Sequence, residues 1–374
     1  MNPIQMVDLR GQYQRIKPEI DSAIEQVLTE AAFIQGPQVR TFESSLAQYT
    51  GAAHVVSCAN GTDALQIAMM ALGLRPGDEV ILPVHTYVAT AEVIALLGLT
   101  PVFADVDPKT FTIDPEGIES LITPRTRAIV PVHLYGQCAE MEQLLSIAKK
   151  HALFVIEDTA QALGARYTFS DGMVKQAGTM GTIGTTSFFP SKNLGCFGDG
   201  GAIFTDDAAL AATMRMVANH GQKKKYHHDL VGINSRLDTL QAGILEVKLR
   251  HLPEYEASRN AAACFYDEHL AGIQGVVTPF RSPTSTHVFH QYTLTVQRRD
   301  ELKDWLEHRG IPSMIYYPVP LHFQEAYRRD GIGKGSFPVT EELSRTLLSI
   351  PIHTELDTAT MGYICDSIRS FHHG

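Results

Sequence analysis

The segment LFVIED, from Leu153 to Asp158, decides how this sequence folds. It is a continuous apolar run that ends in two acids, which is typical of a parallel strand covered on both faces. The carboxyl ends of such strands form the crevice in which open α/β sheets bind ligands. We therefore expect the Asp158 carboxylate in that crevice, where an ionised acid needs a cation such as a protonated pyridine nitrogen.

The chain around this strand repeats one strand-helix unit. HVVSCAN precedes the helical GTDALQIAMMALGL, EVILP precedes TAEVIALLG, and PVFADVD precedes a helix with Asp114 as N-cap and Pro115 as first residue. RAIVPVHLYG and the helix AEMEQLLSIAKKHA then lead to the Asp158 strand. Repeated units of this kind predict an α/β fold with a mostly parallel sheet and right-handed crossovers.

The pattern changes after Gly221. A long helical stretch from about residue 238 to residue 270 is followed by the strand-like segments HQYTLTV and SMIYYPV, with helices near Asp300 and Thr340. We therefore predict a large domain over residues 1–245 and a smaller C-terminal α/β domain over residues 246–374.

A second informative segment, SFFPSKNLGCFGDGGAIFT, runs from Ser187 to Thr205 and contains Lys192. Pro190 ends an extended stretch, so Lys192 is expected in a turn rather than a helix. A lysine in a partly dry loop has a lowered amine pKa, which Schiff-base chemistry requires. Alternatively, Lys192 is a solvated loop lysine and Asp158 a helix N-cap, because both are common.

A phosphate site is predicted at residues 60–63, NGTD, where a strand turns into a helix and leaves backbone N–H groups unpaired. The alternative is a plain N-cap by Thr62 or Asp63. The glycines of residues 195–201 make a poor dinucleotide fingerprint, because AIFT after them reads as a strand. The ring of Tyr87, in the turn after EVILP, would either stack on a flat heterocycle or simply pack against other side chains.

Composition excludes several classes of protein. The 374 residues are 44% hydrophobic and 19% charged, as in an ordinary globular protein of about two domains. A net charge of -10 argues against nucleic-acid binding. The five scattered cysteines have no Cys-x-x-Cys spacing and suggest neither a disulfide framework nor a zinc site. Without a signal sequence or an apolar span, we expect a cytoplasmic protein that does not enter membranes.

The sequence resembles one family essentially from end to end: the pyridoxal-phosphate-dependent nucleotide-sugar aminotransferases of the DegT/DnrJ/EryC1/StrS type. These have the aspartate aminotransferase fold, which is fold type I of the pyridoxal-phosphate-dependent transferases. The motifs that carry the resemblance are MVDLRGQY, CANGTDALQIA, TYVATAEV, VIEDTAQALGA, SFFPSKNLGCFGDGG, GINSRLDTLQA and YYPVPLH.

This resemblance implies pyridoxal 5'-phosphate as cofactor and assigns residues to it. Lys192 would attach the cofactor covalently and then shuttle the proton, while Asp158 would keep the ring nitrogen protonated. The other implied contacts are Gln161 at the ring hydroxyl, Tyr87 on the ring face, and Gly61, Thr62 and Ser187 at the phosphate. Asn234 would reach the phosphate from the neighbouring subunit, so at least a homodimer is predicted.

For the substrate, the resemblance implies a UDP-linked 3-oxo hexuronate, with glutamate as amino donor, in surface polysaccharide synthesis. Arg236 would bind the sugar carboxylate through its planar fork. The implied substrate residues are Ala31, Phe33, Ser191, Arg236, Tyr316, Tyr317 and His322. The family pattern has Gly at Ala31 and His at Tyr316, and these two departures leave the exact sugar open.

Several alternatives stay open on the sequence. The basic stretch of residues 223–228 would reach a sugar-nucleotide diphosphate or be merely solvated. His85 and His133 are expected to be hydrogen-bonded histidines without a catalytic role. A 4-keto-sugar or dTDP-3-keto-sugar aminotransferase of the same fold is the main competing function. Lys192 argues against a dehydratase, and the intact Lys192, Asp158 and Gly61 argue against a non-catalytic regulator.

Overall fold

Strands and helices alternate from residue 54 to residue 158, as the sequence predicts, after three consecutive helices at the start of the described chain. The computed structural model describes residues 3–373, and its helices are α1 Leu9–Arg15, α2 Lys17–Glu30, α3 Pro37–Thr50, α4 Gly61–Ala71, α5 Ala89–Leu96, α6 Ile118–Leu121, α7 Met141–His151, α8 Ala208–Val217, α9 Thr239–Leu270, α10 Arg299–His308, α11 Pro338–Thr346 and α12 Thr358–His373. The strands of the large lobe are β1 His54–Cys58, β2 Glu79–Pro83, β3 Thr100–Ala104, β4 Thr126–Ile129, β5 Phe154–Asp158, β6 Arg166–Thr168, β7 Val174–Gln176, β8 Ile183–Ser187, β9 Gly201–Thr205, β10 Gln222–Lys224 and β11 His227–His228. Those of the small lobe are β12 Val276–Val277, β13 Tyr292–Val296 and β14 Leu347–Ile350.

A seven-stranded sheet in the order β1-β9-β8-β5-β4-β2-β3 forms the centre of the large lobe. The strands from β8 to β3 are all parallel, and β9 runs antiparallel to both of its neighbours. The predicted mostly parallel sheet is therefore confirmed. Since β5 lies at its middle, the parallel strands around β5 open their carboxyl ends towards one edge.

The two acids that end β5 point to opposite faces, because side chains alternate along a strand. The Glu157 carboxylate is fully buried and accepts hydrogen bonds from the backbone N–H groups of Gly178, Met180 and Gly181. It also lies 2.9 Å from His133 Nε2, and His133 Nδ1 accepts a bond from a backbone N–H, so Nε2 carries the proton. Glu157 thus holds the turn that precedes β8, and Asp158 faces the crevice.

Helix α9 joins the two lobes without a linker. It has 32 residues and is about 48 Å long at 1.5 Å per residue. Leu245 and Leu252 in its first half belong to the large-lobe core with Phe42 and Phe188. Tyr266 in its second half belongs to the small-lobe core. The predicted domain boundary between residues 245 and 246 therefore falls inside this helix.

The small lobe is a three-stranded antiparallel sheet of β12, β13 and β14, packed against α10, α12 and the end of α9. The prediction of a strand at SMIYYPV, residues 313–319, is wrong. Only Met314 pairs there, in an isolated bridge to Ser349. Pro318 and Pro320 lack the backbone N–H groups that a strand ladder needs, and the segment returns to the large lobe instead. Within residues 3–373, no helix combines the length and apolarity that a bilayer crossing demands.

Candidate active site

The crevice at the carboxyl end of the sheet contains Asp158 and Lys192. Asp158 ends β5 and is buried, and its Oδ2 accepts a hydrogen bond of 2.9 Å from the Thr90 hydroxyl at the start of α5. Its Oδ1 accepts a bond of 3.1 Å from the backbone N–H of Ala160. Lys192 lies in the turn after the neighbouring strand β8, and its own N–H donates to Phe189 O at 2.8 Å. The predicted turn at Lys192 is therefore observed.

The surroundings of Lys192 favour the neutral amine. Burial lowers the pKa of Lys192 to about 8, and the negative charge of Asp158 opposes this shift. The side chain makes no hydrogen bond within residues 3–373. A lysine amine with a lowered pKa and no hydrogen-bond partner is available to attack a carbonyl carbon.

This pKa predicts how the reaction of Lys192 with an aldehyde depends on pH. In the cofactor-free protein, attachment of pyridoxal phosphate to Lys192 should speed up about tenfold per pH unit at low pH and level off above the lysine pKa of about 8. The neutral amine is the reactive form, and it becomes dominant as pH rises through that value. Stopped-flow absorbance between pH 6 and 10 measures the rate. A rate that still climbs steeply above about pH 9.5 would show an ordinary lysine.

A phosphate cradle lies where β1 turns into α4. The backbone N–H groups of Gly61 and Thr62 donate to no protein atom in the described part of the chain. The Ser187 hydroxyl accepts a bond from Phe189 N and keeps its own proton free to donate. A Cβ at Gly61 would lie 2.7 Å from Ser187 Cβ, so only glycine permits this close approach. The helix N-cap is Asn60, whose side chain accepts from Asp63 N, and not Thr62 or Asp63.

Gln161 is held between two aromatic residues of the crevice. Its Oε1 accepts from Tyr135 N at 2.8 Å, and its Nε2 donates to the Tyr317 hydroxyl at 3.1 Å. The ring of Tyr87 is 57% exposed, and its centroid lies 6.0 Å from that of Tyr317. The side wall formed by Tyr87 and Tyr317 is therefore aromatic, and the exposed face of Tyr87 is open to a planar ligand.

Three other predicted site residues, Phe33, Asn234 and Arg236, make no hydrogen bond to Lys192 or Asp158 within residues 3–373. Phe33 lies against the segment that follows Arg236, since Thr239 N donates to Phe33 O and Ile34 bridges Asp238. Arg236 lines a cavity of about 240 Å³ with Arg40, and neither guanidinium has an ion-pair partner in residues 3–373. The Asn234 side chain is exposed and makes no hydrogen bond to the described chain. The structure thus divides the predicted site residues into two groups.

Three further predicted residues have distinct surroundings. Ser191 is partly exposed beside Lys192, whereas Tyr316 is half-buried and its backbone oxygen accepts from the Tyr135 hydroxyl. The His322 side chain is fully buried against Phe323 and Phe337. It therefore offers no atom to a substrate in this conformation.

The backbone conformation at Ala31 explains why glycine is favoured at this position. It caps the carboxyl end of α2 in the left-handed conformation, with φ 52°. Glycine is favoured at such a position because it has no Cβ. The glycine of the family pattern therefore satisfies a backbone requirement.

Sequence reasoning missed two residues of the crevice, Thr90 and Tyr135. Thr90 bonds Asp158, and the Tyr135 hydroxyl lies 3.2 Å from His85 Nε2. Both follow a parallel strand of the sheet within a few residues, and this position was the available signal. His85 and His133 are hydrogen-bonded as expected, and burial lowers the pKa of His85 to about 4, which keeps it neutral.

Comparison with known proteins places this crevice in a family. The sequence profile of the DegT/DnrJ/EryC1/StrS aminotransferase family matches residues 14–369. The chain belongs to this family. The aminotransferase is 47% identical to the UDP-2-acetamido-2-deoxy-3-oxo-D-glucuronate aminotransferase of Pseudomonas aeruginosa, over 98% of this chain and 100% of that one. It is 46% identical to the UDP-N-acetyl-3-dehydro-alpha-D-glucosamine 3-aminotransferase of Acidithiobacillus ferrooxidans, over 99% and 98% of the two chains.

The fold type I prediction is confirmed by solved structures. The crystal structure of S. venezuelae DesV in complex with a ketimine intermediate matches with a TM-score of 0.96 and 41% identity, over all of both chains. This aminotransferase therefore uses pyridoxal 5'-phosphate. Its residues fit that group, since a buried carboxylate, a lysine with a lowered pKa, two free backbone N–H groups and an open tyrosine face surround one crevice.

Proposed function

We propose that this aminotransferase transfers the amino group of glutamate to C3 of a UDP-linked 3-oxo hexuronate, on the way to a surface polysaccharide. The observation that carries the proposal is that two full-length relatives, at 47% and 46% identity, are both named for amination of a UDP-sugar at C3. The free guanidinium of Arg236 supports a uronate, because a planar fork binds a carboxylate in a bidentate manner.

Each residue of the Lys192 crevice has a task in this reaction. Pyridoxal phosphate supplies an electron sink that stabilises the carbanion formed when the donor loses its proton. Asp158, fixed by Thr90, would keep the ring nitrogen protonated, and Gln161 would contact the ring hydroxyl. Gly61, Thr62 and Ser187 would bind the phosphate at its three free oxygens. Lys192, once released, would move a proton between the substrate carbon and C4' of the cofactor, in one direction with the donor and in the opposite direction with the sugar.

The second group of residues is proposed to serve the partner's site. Ser235, between Asn234 and Arg236, is fully buried, and its hydroxyl accepts from Ala59 N at 3.1 Å. This contact fixes the segment while its two polar neighbours face outward. Apolar side chains are exposed on the adjoining segments, and they are Phe33, Ile34, Tyr226, Leu230 and Val231, with exposures of 41 to 86%. A second copy of this chain would cover such a surface.

A mixing experiment tests whether Asn234 completes the site of the partner subunit. Lys192→Ala and Asn234→Ala homodimers should both be nearly inactive. After unfolding and refolding together, they should recover about a quarter of wild-type activity, because half of the dimers are mixed and each has one intact site. Ser170→Ala, at an exposed position, replaces Asn234→Ala in the control mixture. No gain of activity above the separate homodimers would place Asn234 in its own site.

The substrate is tested with a panel of keto-sugar nucleotides. UDP- and dTDP-linked sugars carrying a 3-oxo or a 4-oxo group are incubated with the enzyme and glutamate, and NMR locates the new amine. We expect amination at C3 of the UDP-linked uronate. Preference for a 4-oxo or dTDP-linked sugar would support the competing aminotransferase function, and a parallel panel of amino acids tests glutamate as donor.

Arg236 distinguishes a uronate from an uncharged sugar. Arg236→Gln should raise KM for the 3-oxo uronate by about tenfold to a hundredfold, because a charged hydrogen-bonded pair is lost. The KM for the corresponding uncharged 3-oxo sugar should stay within about twofold. An equal change in both KM values would mean that Arg236 does not bind the carboxylate.

A further inference from the structure

The loop that carries Lys192 is folded tightly upon itself. Cys196 N donates to Phe188 O at 2.8 Å, and the Cys196 thiol bonds the same oxygen. A Cβ at Gly195 would lie 2.3 Å from Pro190 O, so only glycine allows the two sides of the loop to come so close. The position of the Lys192 amine therefore depends on how the backbone of residues 188–200 is held.

Two side chains of helix α9 form hydrogen bonds with the backbone of this loop. The Lys248 ammonium donates to Gly195 O, three residues after Lys192. Gln241 lies on the same helix. Its Oε1 accepts from Phe197 N at 2.8 Å, and its Nε2 donates to Phe197 O at 3.4 Å. Gln241 and Lys248 are seven residues apart, and two helical turns place them on one face.

Lys248 is unusual because it is a buried cation without a carboxylate. Only 2% of its surface is exposed. Burial lowers its pKa to about 8, and the other groups acting on it are Cys196 and Arg259, with no acid of the described chain among them. Its Nζ also lies 5.6 Å from the centroid of the Phe197 ring. Its visible partners are therefore a carbonyl of the Lys192 loop and the face of an aromatic ring in that loop.

Burying an ammonium group is costly, and an apolar side chain would fill this site at lower cost. Packing of α9 therefore does not explain Lys248, since the neighbouring Leu245 and Leu252 serve that purpose. The feature that the ammonium adds is a directed hydrogen bond to the loop that presents Lys192. Because Lys248 lies on a rigid helix, its hydrogen bond fixes the position of the loop backbone at Gly195.

We propose that Lys248 is a positioning residue for Lys192: it holds the Gly195 carbonyl so that the loop presents the reactive amine towards Asp158. Gln241 holds the Phe197 peptide as a second support. The proposal concerns the family's reaction at Lys192 and is independent of which sugar is aminated.

The test is Lys248→Met in the full-length protein, which keeps the length of the side chain and removes the ammonium. Hydrogen exchange of the loop peptide of residues 188–200, read by mass spectrometry with and without cofactor, should become at least about tenfold faster. The kcat should fall by about tenfold to a hundredfold with KM nearly unchanged, because the donor and the sugar still bind but the amine is misplaced. Loop exchange needs no substrate, so it is decisive even if the proposed sugar is wrong.

Leu270→Ala is the matched control, since it lies on the same helix and removes packing from the small-lobe core, whose buried cluster contains no residue of the loop. It should lower the melting temperature and leave loop exchange within about threefold of the wild type. If Lys248→Met does not fold, Lys248→Gln replaces it, and its shorter donor should still loosen the loop. Loop exchange equal to that of the control would overturn the proposal.

Discussion

Replacing Lys192 by arginine is expected to abolish turnover. The wild-type amine has a pKa of about 8, so about a tenth of it is neutral at pH 7 and about half at pH 8. An arginine guanidinium stays protonated in proteins and can neither form the covalent link to the cofactor nor accept a proton. Loss of proton transfer alone costs about a hundredfold to ten-thousandfold in rate, and loss of the covalent link adds to it.

Two measurements separate this effect from loss of cofactor binding. Single-turnover kinetics with saturating glutamate should show no conversion by Lys192→Arg, while the phosphate cradle still retains the cofactor. Borohydride reduction followed by peptide mapping should label Lys192 in the wild type and no residue in the variant. Lys303→Arg, on α10, should behave like the wild type because its pairing with Glu307 can persist. Near-normal rates in Lys192→Arg would contradict the assignment.

Replacing Asp158 by asparagine is expected to have the second largest effect. Asparagine has almost the same shape, can keep the bond from Thr90, and lacks the negative charge. In the proposed site, the ring nitrogen of the cofactor would then lose the partner that keeps it protonated. Removing one preorganised electrostatic contact typically costs about a hundredfold to a thousandfold in rate, and we expect a loss of that size.

Thr90→Val provides the matched control for Asp158. It removes the hydroxyl that fixes Asp158 Oδ2 and leaves the carboxylate charge in place. Its effect should therefore be much smaller, about tenfold. Rates of the first half-reaction, measured by absorbance with glutamate alone, allow the comparison without any sugar. An Asp158→Asn rate within tenfold of the wild type would show that the carboxylate is not the partner of the ring.

The fold was predictable because its strands are long apolar runs at regular spacing. EVILP and residues 155–158 of LFVIED are buried on both faces, as expected for strands of a covered parallel sheet. The alternative of an N-cap at residues 60–63 named Thr62 or Asp63 and not Asn60, because all three have capping side chains and only the backbone conformation decides among them. The prediction of a strand at SMIYYPV was wrong because apolar composition does not show whether another strand lies close enough to pair with it.

The candidate site was predictable where the local sequence alone determines the position of a residue. Asp158 was predicted in the crevice because it ends a strand, and Lys192 was predicted in a turn because it follows Pro190; the structure has both features. The role of Glu157 was not predictable, because its four hydrogen-bond donors come from distant parts of the sequence. Lys248 was missed for the same reason, since it is 53 residues from the carbonyl it binds. Long-range contacts of buried polar groups leave no periodic signal in a sequence.

The continuity of α9 has a consequence for dissecting this enzyme. A cut between residues 245 and 246 would break the helix and leave Lys248 on the C-terminal fragment. The N-terminal fragment would then keep the reactive lysine and lose the ammonium that supports its loop. Reconstituting activity from the two fragments would therefore require that they associate and re-form α9 as one continuous helix.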